Sequence, residues 1–309
     1  ETVLRAVQTV VDEGLAHPIL VGRPDVIEKR IQRLGLRLRE GQDFEVTNVN
    51  DDPRFNDYWR HYHTLTERRG VTPDAAKALL RSRTTLIAAI MVDRGEADAM
   101  ITGLVGRFHK KLGYLLSVFD FDKGVTGTAA MTGVLNDKGA WFFLDTHVQL
   151  DPSAEQIAEA TLQASYRLKL FGIEPRVAMV SHSNFGSHAD ASAAKMRKAR
   201  DLVRARAPNL DVDGEMMADT AWDVALRERI MPNSTLKGRA NLYVMPNLDA
   251  ANIGYNLVRV MTEGVAIGPI LMGLDQPAHI LTPASTSRRV INMTAIVAVE
   301  AQIRAAMTK

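Results

Sequence analysis

Strand-like and helix-like segments alternate along this chain, and that alternation restricts the folds open to it more than any other feature. "HPILVG" (17–22) is a short apolar run ending in glycine. "PDVIEKRIQRLGL" follows, with Pro24 at its start and Val26, Ile27, Ile31 and Leu34 on one helical face. "FEVTNV" alternates like a strand. "DAAKALLRSRTTLIAAIMVDRG" reads as a helix or a bent helix pair ending at Gly95, and "ADAMITGLVG" as a buried strand running into a glycine loop. "GTAAMTGVLN" and "AWFFLDTHV" read as paired strands, "SAEQIAEATLQASYRLKLFG" as a long amphipathic helix, and "RVAMVSHSNFGS" as a strand with a polar loop. "SAAKMRKARDLVRARAP" is a basic helix, "NLDVDGEM" and "NLYVMPNLDAANIG" are strand-plus-loop units, and "IGYNLVRVMTEG" and "VINMTAIVAVEAQIRAAM" are further helices. Such alternation predicts an α/β fold with mostly parallel sheets flanked by helices. In that class ligands gather outside the carboxyl ends of the strands.

Composition narrows the function classes. The 309 residues suffice for two domains, and 46% hydrophobic with 24% charged residues is ordinary for a globular chain. A net charge of +2 gives no argument for nucleic acid. No apolar run reads as long enough to span a bilayer, so no membrane partner is expected. With no cysteine there is no disulfide or thiolate chemistry, which fits a cytoplasmic protein. Glu1 already sits in a helical pattern with Val3, Leu4, Val7, Val10 and Val11 on one face, which reads as a fragment of a longer polypeptide.

Neither a G-x-x-x-x-G-K-[ST] loop nor a G-x-G-x-x-G fingerprint is present. The eight histidines read as scattered, His61 and His63 fall on different faces of a helix, and no metal site is expected in this domain. Three strand-end loops carry more information. "SHSNFGSH" (181–188) reads as an anion cradle of backbone N–H groups or as an ordinary capped loop. "PNLDAANIGYN" (246–256) reads as a turn bringing backbone close to a ligand, or as turn chemistry alone. "TGLVGRFHKK" (102–111) pairs Gly103 and Gly106 with Arg107, His109, Lys110 and Lys111, an anion site or a solvated basic helix start. On the basic helix Arg197, Arg200 and Arg204 share a face, which is either solvated or set against an acidic partner. Asp145, Asp151, Asp219 and Asp223 are available acids, and spacing pairs none of them with a nucleophile. "LTPASTSRRVIN" (281–292) places Arg288 and Arg289 in the first turn of a helix, where the macrodipole disfavours each cation by about 0.3–1 kcal/mol.

Taken in order, "RGEADAMITG", "DTHVQLDPSAEQIAEA", "VAMVSHSNFGS", "PNLDAANIGYNLVRVM" and "AIGPILMGLDQPAHIL" resemble the phosphate acetyl/butyryltransferase family over nearly the whole chain. The resemblance implies two α/β lobes of isocitrate/isopropylmalate dehydrogenase-like architecture, residues 1–124 with 273–309 and residues 125–272. It also implies a coenzyme A cleft between them and a homodimer. The family's catalytic stretch reads approximately Leu-Ser-Arg-Gly-x-Ser-x-x-Asp-Ile-Val-Asn. Its Ser falls on Thr282, its substrate-binding Arg on Pro283 and its catalytic Asp on Arg289. A second family Arg falls near Gly113, and a loop Lys falls on Phe185. Pro283 carries no side-chain donor, and Arg289 stays protonated and is no base near neutral pH. No catalytic residue is therefore expected here.

The variants "YWRHYHTLTERRGVTPDAA", "GLVGRFHKKLGYLL" and "EMMADTAWD" are similar to the C-terminal domain of the large NADP-dependent malic enzymes, whose N-terminal malic enzyme region is absent from this chain. That resemblance implies a regulatory, catalytically inactive domain that binds acetyl-CoA as an inhibitor of malate oxidation and assembles homo-oligomers. It also places NADP and a divalent metal, Mg or Mn, in the missing region. It carries over Ser183, Gly186, Asn252, Gly254, Tyr255, Thr282, Ser285 and Arg289 as acetyl-CoA- or anion-binding residues. An active acetyltransferase moving acetyl between acetyl phosphate and CoA, and a purely structural dimerisation module, are the alternatives.

Overall fold

A computed structural model describes residues 1–307. The chain forms two compact lobes. The first holds Glu1–Asp122 and takes up the chain again from Leu274, and the second is Lys123–Gly273.

The first lobe runs α1 (Thr2–Asp12), β1 (Ile19–Val21), α2 (Pro24–Leu34), β2 (Glu45–Thr47), α3 (Phe55–Thr66), α4 (Pro73–Ser82), α5 (Thr84–Asp93), β3 (Met100–Thr102) and α6 (Phe108–Leu115). Pro24 starts α2 and Gly35 closes it in the left-handed region at φ 62°, where a Cβ is disfavoured. The long apolar-rich segment is a bent helix pair. Its second helix, α5, buries Thr85, Leu86, Ile87, Ala89, Ile90, Met91 and Val92 and is apolar all round because other elements surround it.

The second lobe runs β4 (Ala129–Asn136), β5 (Gly139–Leu144), α7 (Ala154–Leu170), β6 (Arg176–Val180), α8 (Ala191–Arg206), β7 (Asp211–Met216), α9 (Ala218–Trp222), α10 (Val224–Ile230), β8 (Leu242–Val244), α11 (Leu248–Met261) and β9 (Val265–Met272). Its six-stranded sheet has the order β7-β6-β8-β5-β4-β9. The first four strands are parallel, and β4 is antiparallel to both neighbours. Successive side chains point to opposite faces. Trp141, Phe143, Ala178, Val180, Tyr243 and Met245 join Ala221 of α9 and Ala251 and Tyr255 of α11 in one core. Helices α7 and α8 pack on strands of the same sheet. Side-chain caps fix the helix starts. Ser153 and Gln156 form a capping box on α7, Asp190 caps α8 and Asn247 caps α11.

The chain then re-enters the first lobe as β10 (Ala278–Ile280) and α12 (Ser287–Met307). β10 pairs in parallel with β3, and α12 packs along α1 and against both strands. At 21 residues, and with a mean hydropathy of 1.3 over its most apolar 18-residue window, α12 is long and apolar enough to cross a membrane by length and composition. This corrects the expectation that no run reaches that length. Alanine, valine and isoleucine dominate the average there although polar residues recur. Two of those polar residues are buried in the lobe, Arg289 and Glu300, and the Glu300 carboxylate lies 3.1 Å from buried His279 of β10.

Candidate functional site

In the first lobe, the parallel pair β3 and β10 brings two strand ends together, Thr102 beside Ile280. From Thr102 a glycine loop leads to α6, and from Ile280 the 281–286 stretch leads to α12. The Leu281 N–H donates to the Thr102 carbonyl at 2.7 Å. Gly103 has φ 126°, and a Cβ there would lie 2.2 Å from the Leu281 carbonyl oxygen, so only glycine permits this approach. The start of α5 adds Thr85, whose hydroxyl lies 3.0 Å from that of Thr102. Lys111 of α6 reaches both hydroxyls, at 3.1 and 3.3 Å. Burial holds its ammonium below the usual lysine range. Among the described residues no carboxylate pairs with Lys111. A cavity of about 1600 Å³ lies in this lobe, lined among others by Thr85, Thr102, Gly106, Arg107, Lys110 and Lys111.

The "LTPASTSRRVIN" stretch is a tight turn followed by a cap. Ser285 Oγ accepts the Thr282 N–H at 3.3 Å, the Ser285 N–H donates back to the Thr282 carbonyl, and Thr286 Oγ1 accepts the Arg289 N–H. Ser285 and Arg289 are buried, while Pro283 is exposed. Leu281, and not Thr282, Ser285 or Arg289, lines the cavity.

The loop after β6 in the second lobe is an anion cradle that the chain fills itself. Ser183 Oγ donates to Glu215 Oε1 at 2.7 Å, the Gly186 N–H donates at 2.8 Å and Arg197 Nη1 at 2.7 Å. Burial raises the Glu215 carboxyl, but these donors outweigh it and leave the group below its ordinary value. Arg200 donates to the Gly214 carbonyl, and Arg204 to the Val212 carbonyl and Asp213. The basic face of α8 is thus a staple onto β7, which corrects both the solvated and the acidic-partner expectation. Sequence spacing gives no signal for Glu215, because the partner lies on a different strand.

The segment 248–256 is not a turn. α11 begins at Leu248, so Asn252, Gly254 and Tyr255 sit inside a helix. Asn247 supplies the cap, and the helix tolerates glycine there at modest cost. Asn252 Nδ2 donates to the Thr146 carbonyl at 3.2 Å. Tyr255 is 3% exposed and packs beside Phe143 in the core. Gly113 lies within α6 and Phe185 against the second lobe's core.

The available acids also have structural partners. Buried Asp145 accepts N–H groups from Ala130, His147, Val148 and Gln149, and burial keeps its carboxyl above the usual range. Asp151 pairs with Lys195, Asp219 accepts the Thr220 N–H and Asp223 caps α10. His61 pairs with Asp93 at 2.6 Å. The expectation of scattered histidines needs one correction, since His182 and His188 come together with Asp190 on the second lobe's surface.

Two α/β lobes with glycine- and serine-rich loops at the carboxyl ends of parallel strands are the architecture of the phosphotransacylases, and the chain belongs to that family. The family model "Phosphate acetyl/butaryl transferase" matches residues 1–298. Among solved structures, a phosphotransacetylase from Streptococcus pyogenes superposes with a TM-score of 0.87 at 28% identity, covering 98% of this chain and 91% of that one. Among sequences, the chain is 52% identical to the NADP-dependent malic enzyme of Escherichia coli and 51% identical to the NAD-dependent malic enzyme of Rhizobium meliloti, over 97% of its own length in each case. It spans only 40% and 39% of those relatives and corresponds to their C-terminal, phosphate acetyltransferase-like part. A phosphate acetyltransferase from Nitratidesulfovibrio vulgaris is 31% identical over 98% of the chain.

Proposed function

We propose that this chain is the regulatory, catalytically inactive domain of an NADP-dependent malic enzyme, binding acetyl-CoA as an allosteric inhibitor and holding copies together. One observation carries the reading. Where the family resemblance expects a carboxylate base, this chain has Arg289, a buried cation in the first turn of α12. Pro283, exposed and without a side-chain donor, stands where a substrate-binding arginine is expected. The whole protein would oxidatively decarboxylate malate to pyruvate and CO2 in the cytoplasm. NADP and Mg or Mn would belong to its malic enzyme region.

We assign the acidic part of acetyl-CoA to the first lobe, near Lys111 and the start of α12. The second-lobe residues that the resemblance offers are engaged otherwise: Ser183 and Gly186 by Glu215, Asn252 by Thr146, Tyr255 by the core. Inhibition then works by linkage, acetyl-CoA preferring one arrangement of the protein and the coupling reaching the malate site. Self-association is supported by α11, which exposes Ile253, Leu257, Val260 and Met261 on adjacent turns. Leu257→Asp is expected to shift the chain to a smaller species in analytical ultracentrifugation.

The decisive measurement combines acetyl transfer and melting. The chain should form no acetyl-CoA from acetyl phosphate and CoA, yet saturating acetyl-CoA should raise its melting temperature, as any ligand of the native state must. Transfer at an ordinary enzymatic rate would mean a working acetyltransferase. Neither transfer nor a melting shift would mean a structural module.

A further inference from the structure

The loop between β6 and α8 carries a group that the proposed function does not use. His182, His188 and Asp190 each place one ligand atom within 4.8 Å of the others, all exposed. His182 Nε2 lies 3.0 Å from Asp190 Oδ2, and the two imidazole rings are 4.9 Å apart.

The surroundings hold the Asp190 carboxylate and the His188 backbone in place. Asp190 Oδ1 is occupied by the Ser192 and Ala193 N–H groups that it caps, which leaves Oδ2 turned to His182. The His188 N–H donates to Ser183 Oγ, and its carbonyl accepts from Arg197. Arg197, the nearest cation in this bond network, is also tied to Glu215. Ser183 is anchored to the same buried carboxylate. The loop is therefore tied down at His188 and at neighbouring Ser183, which helps to position ligands.

We propose that His182, His188 and Asp190 bind a borderline divalent cation of the zinc class, with water in the remaining positions. Two imidazoles and one carboxylate suit zinc, cobalt or nickel, whereas magnesium and calcium favour oxygen-only sites. Bonds of about 2.0–2.2 Å in a tetrahedron put ligand atoms roughly 3.3–3.5 Å apart. His182 and Asp190 are already near that spacing, and rotation of the exposed His188 side chain closes the rest. The bound ion ties the loop to the first turn of α8. Each imidazole binds the ion through an unprotonated ring nitrogen.

Dialysis of the chain against micromolar free Zn2+, with bound metal counted by atomic absorption, tests the site. A single equivalent is expected, lost in His182→Ala and in His188→Ala and weakened in Asp190→Asn, which keeps a capping side chain. Zinc should raise the melting temperature of the unaltered chain and leave that of His182→Ala unmoved. Because the imidazoles are exposed, both alanine variants should melt like the unaltered chain without zinc. Zinc uptake at background level, or equal uptake in all variants, would overturn the proposal.

Discussion

The loop after β6 and the loop after β3 each lead from a parallel strand into a helix, yet they meet opposite electrostatic fates. Each follows a parallel strand, frees its backbone with glycine and gathers cations. In the second lobe the gathered donors close on Glu215, a carboxylate of the chain itself, and the cradle is complete. In the first lobe the only partners of Lys111 among the described residues are two threonine hydroxyls, and it borders an open cavity. A glycine loop beside cations therefore marks a place for an acceptor without saying whose it is. A loop filled from within serves stability, and one left to solvent is where an external anion belongs.

The largest test removes the internal anion. Glu215→Ala leaves Ser183, Gly186 and Arg197 without their acceptor. The carboxylate is buried while Arg197 is partly exposed, so the loss is about 3 kcal/mol, the low end for breaking a buried pair. Urea denaturation of the variant should show this loss, and a loss near zero would mean that the cradle is no structural element. The sign of the pH effect follows from the depressed Glu215 carboxyl. Its contribution is present above the ordinary carboxylate range and disappears as pH falls through the lowered folded value. The variant should therefore lose less stability on acidification than the unaltered chain.

The same comparison explains what was legible in the sequence. Helices, strands and the polar loops emerge from local periodicity and caps, and "SHSNFGSH" reads as either an anion cradle or an ordinary capped loop, between which Glu215 decides. Glu215 does not emerge, because its pairing with Ser183 depends on β6 and β7 lying side by side in the sheet. The staple formed by Arg197, Arg200 and Arg204 is hidden for the same reason. "PNLDAANIGYN" misleads because Asn, Asp and Gly serve both turns and helix starts. Only the Asn247 cap, with bonds running on through Gly254, decides for the helix. Tyr255 then follows the helical period into the core. Arg289 stands out early because a cation in a first turn opposes the macrodipole, but its burial comes from the packing of α12.

The next test is aimed at the cavity. If acetyl-CoA places an acidic group beside Lys111, then Lys111→Met removes one charge-assisted hydrogen bond. The expected loss is about 1.5–3 kcal/mol of binding, roughly tenfold or more in affinity by calorimetry. The unliganded variant should be no less stable than the unaltered chain, since a half-buried ammonium is disfavoured by desolvation. Below its lowered folded value Lys111 is charged in both states. Between that value and the ordinary lysine range the folded chain gives up a proton that the unfolded one keeps, so stability rises with pH. Lys111→Met should flatten that rise, and unchanged acetyl-CoA affinity would move the effector away from α6.

The smallest expected effect separates dipole from ligand at α12. Arg288 is exposed in the helix's first turn, where a cation is disfavoured and a carboxylate favoured. Arg288→Glu should raise the stability of the unliganded chain by about 0.3–1 kcal/mol. If an anion of the effector lies near this helix start, the same change should reduce the melting shift that acetyl-CoA produces, because like charges then meet. Opposite signs in the two measurements would tie the adverse cation to binding. A gain in stability with an unchanged acetyl-CoA shift would leave Arg288 outside the site. A loss of unliganded stability would mean that the cation is matched by a carboxylate of another copy of the chain, and dilution should then erase the difference from the unaltered protein.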